Sequence, residues 1–93
     1  MMDGLTEGRI VHFVMPNEEH RPAIIVKVWN KETGYVNLQV FTDGKNDVNM
    51  FQDSERYGQI TREEVSRGIW WVTSIFPDEE TKRQSSWHWV EKA

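Results

Sequence analysis

The sequence predicts a mainly β protein: a small five-stranded SH3-like barrel with one short helix, the alternative being an OB-like barrel. Three observations lead there. Five short runs dense in β-branched and aromatic residues are separated by Pro, Gly and Asn/Asp turn signals. One of them, Tyr35 to Phe41, alternates strictly, with Val36, Leu38 and Val40 on one face and Tyr35, Asn37, Gln39 and Phe41 on the other. The one helix-start signature, at Thr61, opens a segment of only one or two turns that Gly68 is placed to end. A chain of 93 residues holds a single domain. It divides into a flexible N-terminal arm over 1–8 and one β domain over 9–93, with an insertion at about 46–68.

Each strand has its own signature. Arg9 to Met15 is apolar and β-branched and stops at Pro16. Ala23 to Trp29 is the strongest run; strict alternation puts Ile24, Val26 and Val28 in the core and Ile25, Lys27 and Trp29 outside. Asn30 to Gly34 reads as a hairpin loop, Gly34 supplying the positive φ such loops need. Asp43-Gly44 marks the next turn, and Asn46 to Gly58 has no clear period. Ile69 to Phe76 is a strand closed by Pro77, and Trp87 to Val90 is a short last one.

Composition narrows the function classes. The chain has 11 Lys+Arg against 15 Asp+Glu and a net charge of −4, which disfavours duplex nucleic acid, whose affinity comes largely from cations meeting phosphates. It has no cysteine, so disulfides and cysteine-ligated zinc are excluded. No apolar run approaches the roughly 18–20 residues of a membrane helix. No apolar leader core follows the acidic first residues, so the expected location is the cytosol.

Five Trp in a chain 38% hydrophobic are the unusual feature. Large aromatics serve a small core, and they also populate binding surfaces. Strand alternation sends Trp29, Tyr35 and Phe41 to the outer face, beside Lys27, Asn37 and Gln39. That combination of flat apolar area and fixed amide groups is an interface composition. Trp70 and Trp71 must point to opposite sides, and Trp87 and Trp89 share a face that His88 opposes, where they would close the barrel or, alternatively, form a stacking wall for a base or a cation. The candidate ligand- or partner-binding set is therefore Arg21, Lys27, Trp29, Tyr35, Asn37, Gln39, Phe41, Trp87 and Trp89. Arg21 and Lys27 would meet an anionic, nucleotide-like ligand and the aromatics would stack on it. The competing expectation is that the insertion folds back and covers this face.

Catalytic constellations are missing from the sequence. Glu18-Glu19, Glu63-Glu64 and Asp78-Glu79-Glu80 read as solvated charge, and Thr73-Ser74 has no nucleophile-elbow glycines around it. There is no P-loop and no G-x-G-x-x-G. His12, His20 and His88 lack the close spacing of a compact metal motif, so no metal and no cofactor are expected.

Several blocks resemble small bacteriophage and prophage proteins of unknown function. They are Arg21-Pro22-Ala23 leading to Val26-Lys27-Val28-Trp29, then Asn37 to Gly44 with Asn46-Asp47, then Trp71 to Ser74, and finally Ser86 to Trp89. The resemblance covers about two thirds of the chain in order and departs over Val48–Gly68, which is longer here. It implies a phage origin, a compact β fold and the host bacterial cytoplasm, and it carries no catalytic residues to transfer. Together the readings predict a non-catalytic binding module, in sharpest form a host-defence inhibitor that sequesters a nucleotide-derived immune signal or binds a host protein. The alternative is a structural or virion-assembly protein whose aromatic face is an oligomer or partner interface. A homo-oligomer suits both.

Overall fold

The computed structural model describes residues 4–51, 56–57 and 60–90. Strands β1 (Ile10–Val14), β2 (His20–Asn30) and β3 (Tyr35–Phe41) come first. The insertion follows: α1 (Gly44–Asp47), a 3-10 turn (Val48–Phe51), a small hairpin of β4 (Arg56–Tyr57) and β5 (Ile60–Thr61), and α2 (Arg62–Ser66). Then come β6 (Ile69–Ile75) and the two-residue β7 (Trp87–His88). The result is mainly β, a five-stranded antiparallel sheet of order β6-β3-β2-β1-β7 with two short helices. The sheet is not closed, so the barrel closure suggested by the sequence is not reached. Its two edge strands approach at one point, where Pro77 beyond β6 bridges Trp87 in parallel.

Paired residues of an antiparallel sheet share a face, so the register identifies the two sides. One row runs Val11, Ala23, Val40, Trp70 and the next includes Ile25, Leu38 and Val72. These line the core, where all but Trp70 are buried. The expected core positions Val36, Leu38 and Val40 of β3 are all there. In β2 the expected phase fails. Ile25, expected outside, is in the core, and Ile24 and Val26 lie outside it. The reason is a register shift between Ile25 and Lys27 that places one extra residue in β2. Such a bulge reverses alternation along the strand, so Ala23 and Ile25 face inward before it and Val28 packs on the core after it.

Among the described residues, the insertion covers the core side of the sheet and not the outer side. Phe51, Ile60 and Val65 are buried in the same cluster as Val11, Phe13 and Leu38. α2 begins at a complete capping box: the Thr61 hydroxyl accepts from the Glu64 amide while the Glu64 carboxylate accepts from the Thr61 amide. Gly44 sits where any side chain would collide, a Cβ there lying 2.8 Å from the Ser66 carbonyl oxygen. The described part of the N-terminal arm packs against the sheet. Leu5 is buried in the core, Gly8 N donates to the Ile25 carbonyl, and Glu7 accepts from Val28 N.

Candidate functional site

The outer face of the sheet is an apolar surface built by register. Trp71, Gln39, Ile24 and Ile10 stand opposite one another across four strands, and Phe41 pairs with Ile69 one step along. Ile10, Phe41, Ile69 and Trp71 are exposed, Trp71 at 53%. Val26, at the bulge, is exposed beside them. Half-buried Gln39 interrupts the row, but this many exposed large apolar side chains on one sheet face are uncommon on a monomer that has no partner.

One buried side chain organises the end of this face. Asn37 Oδ1 accepts from the Trp29 indole Nε1 at 2.7 Å, from the Thr73 hydroxyl at 2.7 Å and from Ser74 N at 3.0 Å. Both neighbouring strands are irregular here. β2 carries its extra residue between Ile25 and Lys27, and β6 carries one between the partners of Val36 and Leu38. Ser74, in that second irregularity, has φ +58°, a strained backbone for a residue with a Cβ. The Asn37 amide thus fastens two bulges and fixes an indole that is itself 55% exposed. Lys27 Nζ lies 4.5 Å from the centroid of the Trp29 ring.

The expected site residues divide accordingly. Lys27, Trp29, Tyr35 and Phe41 are exposed, Gln39 is half-buried, and Asn37 is a buried support instead of a contact residue. Arg21 is a correction. It pairs with Phe13 on the core side, and its Nε and Nη2 donate to the Asp47 carboxylate at 2.9 and 2.7 Å. Asp47 is buried and also accepts from Asn17 Nδ2 and Asp43 N. Burial pushes the Asp47 carboxyl up, but Arg21, Asp43 and Asn17 more than offset it and hold it below the ordinary value. The Arg21 guanidinium, held chiefly by its hydrogen bonds to Asp47, is raised. This pair clamps α1 to β2, and its cation is already neutralised.

Trp87 is a second correction. It is fully buried, paired with Phe13, and donates its indole N–H to the Gly34 carbonyl at 2.8 Å. Trp89 is half-buried, edge-on to Trp87 with centroids 5.0 Å apart, and Arg9 lies over its ring. The two Trp therefore finish the core and offer no stacking wall.

Ile10, Val26, Ile69 and Trp71 were not among the expected binding residues. Trp71 was the accessible one: with Val72 in the core, alternation already sends Trp71 outward. Ile10, Ile69 and Val26 needed the register and the bulge. A cleft of about 590 Å³ opens on the core side, between Phe13, Trp70 and Val72 of the sheet, Ile60 and Glu64 of the insertion, and Gln84-Ser85. Glu64 is held in the capping box, so the cleft is mostly apolar with little to orient a charged ligand.

Three histidines come together on the outer side of the β1 edge. His12 stands directly opposite His88, and His20, the partner of Val14, is diagonal to His12. Their ring centroids are 4.8 to 6.4 Å apart, and one ligand nitrogen from each lies within 4.8 Å of the others. Scans of this chain against family models, curated proteins and solved structures return no match.

Proposed function

We propose that this protein is a non-catalytic binding module that works through the outer face of its sheet, and that the first occupant of that face is a second copy of the chain. The observation that carries the reading is the exposed set of Trp71, Phe41, Ile69 and Ile10, with half-buried Ile24 among them, which the described part of the insertion leaves uncovered. A mainly apolar face can pack on a copy of itself about a twofold axis without matched charges. Two sheets stacked about 10 Å apart would then form a sandwich, each burying the other's row. The bent sheet, bridged at Pro77 and Trp87, reads as an SH3-like arrangement opened along one seam.

The nucleotide-sequestering form of the reading has less support. Of its two cations, Arg21 is paired with Asp47, which leaves Lys27 over Trp29 as the corner a base and a phosphate could approach. On the resemblance to phage and prophage proteins, the wider role would lie in the infected bacterial cytoplasm, against a host or phage protein.

Sedimentation velocity from 1 to about 100 μM tests the proposal. The expected result is a concentration-dependent dimer in the wild type and a monomer in Trp71→Lys, with unchanged circular dichroism. A wild-type monomer throughout the range overturns self-association. Heat on titration with a panel of cyclic di- and trinucleotides, lost in Trp29→Ala, would instead favour the ligand form.

A further inference from the structure

We propose that His12, His20 and His88 form a binding site for a divalent first-row transition metal ion, zinc foremost. Three strands contribute one imidazole each, and all three project to the same side because of register. His12 and His88 are a directly opposed pair, and His20 lies across the β1–β2 ladder, diagonal to His12. The three rings pack edge-on in every pair, at 5.6 Å for His12 and His88 and 4.8 Å for His20 and His88.

The distances suit imidazole ligation. A tetrahedral zinc ion holds His nitrogens at about 2.0–2.1 Å, which sets them roughly 3.3 Å from each other. The three ligand nitrogens already lie within 4.8 Å of one another, so ring rotations of about 1 Å close the site. His12 and His20 are half-buried, while His88 is wholly buried and supplies the fixed point. Imidazole nitrogens without thiolate or a carboxylate cage favour zinc, copper or nickel over calcium or magnesium.

Three protein ligands leave one position open. His20 also lines a cleft of about 580 Å³ with Val14, Glu18 and the 81–84 segment. Lys82 and Arg83 line it too, Arg83 being paired with Asp78 through Nε at 2.7 Å. The consequence would be mechanical. β7 is a two-residue strand, and a metal bound to His88, His12 and His20 would fasten it across β1 to β2.

The test uses the full chain without an affinity tag, since a polyhistidine tag would bind the same ions. Titration with Co(II) alone should give the visible ligand-field bands of a four-coordinate site, saturating at one equivalent and displaced by Zn(II). Zn(II) at about a hundredfold over its dissociation constant should raise the melting temperature by roughly 10 °C or more. His20→Ala and His12→Ala, both at half-buried positions, should each weaken Co(II) binding at least about tenfold and abolish the thermal shift while circular dichroism stays unchanged. Absence of Co(II) bands in the wild type overturns the site. So does Co(II) affinity that is the same in the His20→Ala and His12→Ala variants as in the wild type.

Discussion

Substituting Asp47 by Asn removes one negative charge from a buried carboxylate and changes almost nothing in shape. Asp47 is 1% exposed and receives two Arg21 N–H donors, Asn17 Nδ2 and the Asp43 amide. Hydrogen bonds to a charged group contribute about 1.5–3 kcal/mol each, and breaking a buried pair by removing one partner costs about 3–5 kcal/mol. Two features lower that figure here. The Arg21 side chain keeps 19% of its surface in water, and the Asn amide can still accept one of the bonds. The expected loss is about 2–3 kcal/mol, against a total stability of roughly 5–14 kcal/mol for a domain of this length. At about 4–8 °C per kcal/mol, the melting temperature should fall by roughly 10–20 °C.

Urea unfolding followed by tryptophan fluorescence reads this directly, with the m-value reporting whether the native state has loosened. Arg21→Met and the double variant complete a cycle that isolates the pair. A coupling energy below about 0.5 kcal/mol would refute the clamp and return Arg21 to the surface as a free cation. The pH dependence gives a second check. The Asp47 carboxyl is lowered in the folded protein, so its contribution is complete above the ordinary Asp value and is lost as pH falls through the lowered one. The gap between wild type and D47N should therefore be constant near neutrality and narrow in acid.

Other substitutions test separate parts of the fold. Asn37→Ala deprives Trp29, Thr73 and Ser74 of their common acceptor and should cost about 1–3 kcal/mol; a Trp29 indole N–H resonance that does not move would count against the Asn37 link. Gly44→Ala puts a Cβ 2.8 Å from the Ser66 carbonyl oxygen and should cost about 1–3 kcal/mol, visible as a lower urea midpoint. Asp78, held at about 2 first by Arg83 and then by the Thr81 and Arg83 amides, stabilises the 78–83 loop above the ordinary Asp value and loses that effect as pH falls toward 2. Acid unfolding of Asp78→Asn should accordingly show a weaker pH dependence between about 4 and 2, followed by circular dichroism.

The parts of this protein that obey a local rule were legible in its sequence. β3 alternates without interruption, so its three core residues and its outward Tyr35 and Phe41 follow from period alone. The capping box at Thr61 and the positive φ of Gly34 are equally local, because the residues that make them are adjacent or nearly so. β2 departs from the local rule. Its Ala23-Ile24-Ile25-Val26 run is apolar on both faces, so the sequence leaves the phase open, and only the pairing with β3 reveals the extra residue before Lys27. Arg21 misleads for a related reason. Next to Pro22 it looks like a surface cation, and its partner Asp47 is 26 residues away in a segment with no periodicity.

The same distinction explains why the outer face and the histidine cluster differ in how they can be found. A sheet face is written into each strand separately, so an error in one strand leaves the others readable; in β6 alternation separates Trp70 from Trp71, and the burial of Val72 then makes Trp71 the outward one. The histidine cluster is written into no strand. It requires the β1–β2 turn to set His20 diagonal to His12, and a strand of two residues, 68 positions beyond His20, to stop with His88 opposite His12. Sequence spacing is the correct criterion for motifs on one helix or one hairpin, where geometry is local. Across a sheet edge, register replaces spacing, and a one-residue slip of β7 would send His88 to the core side and bring Trp87 or Trp89 out in its place.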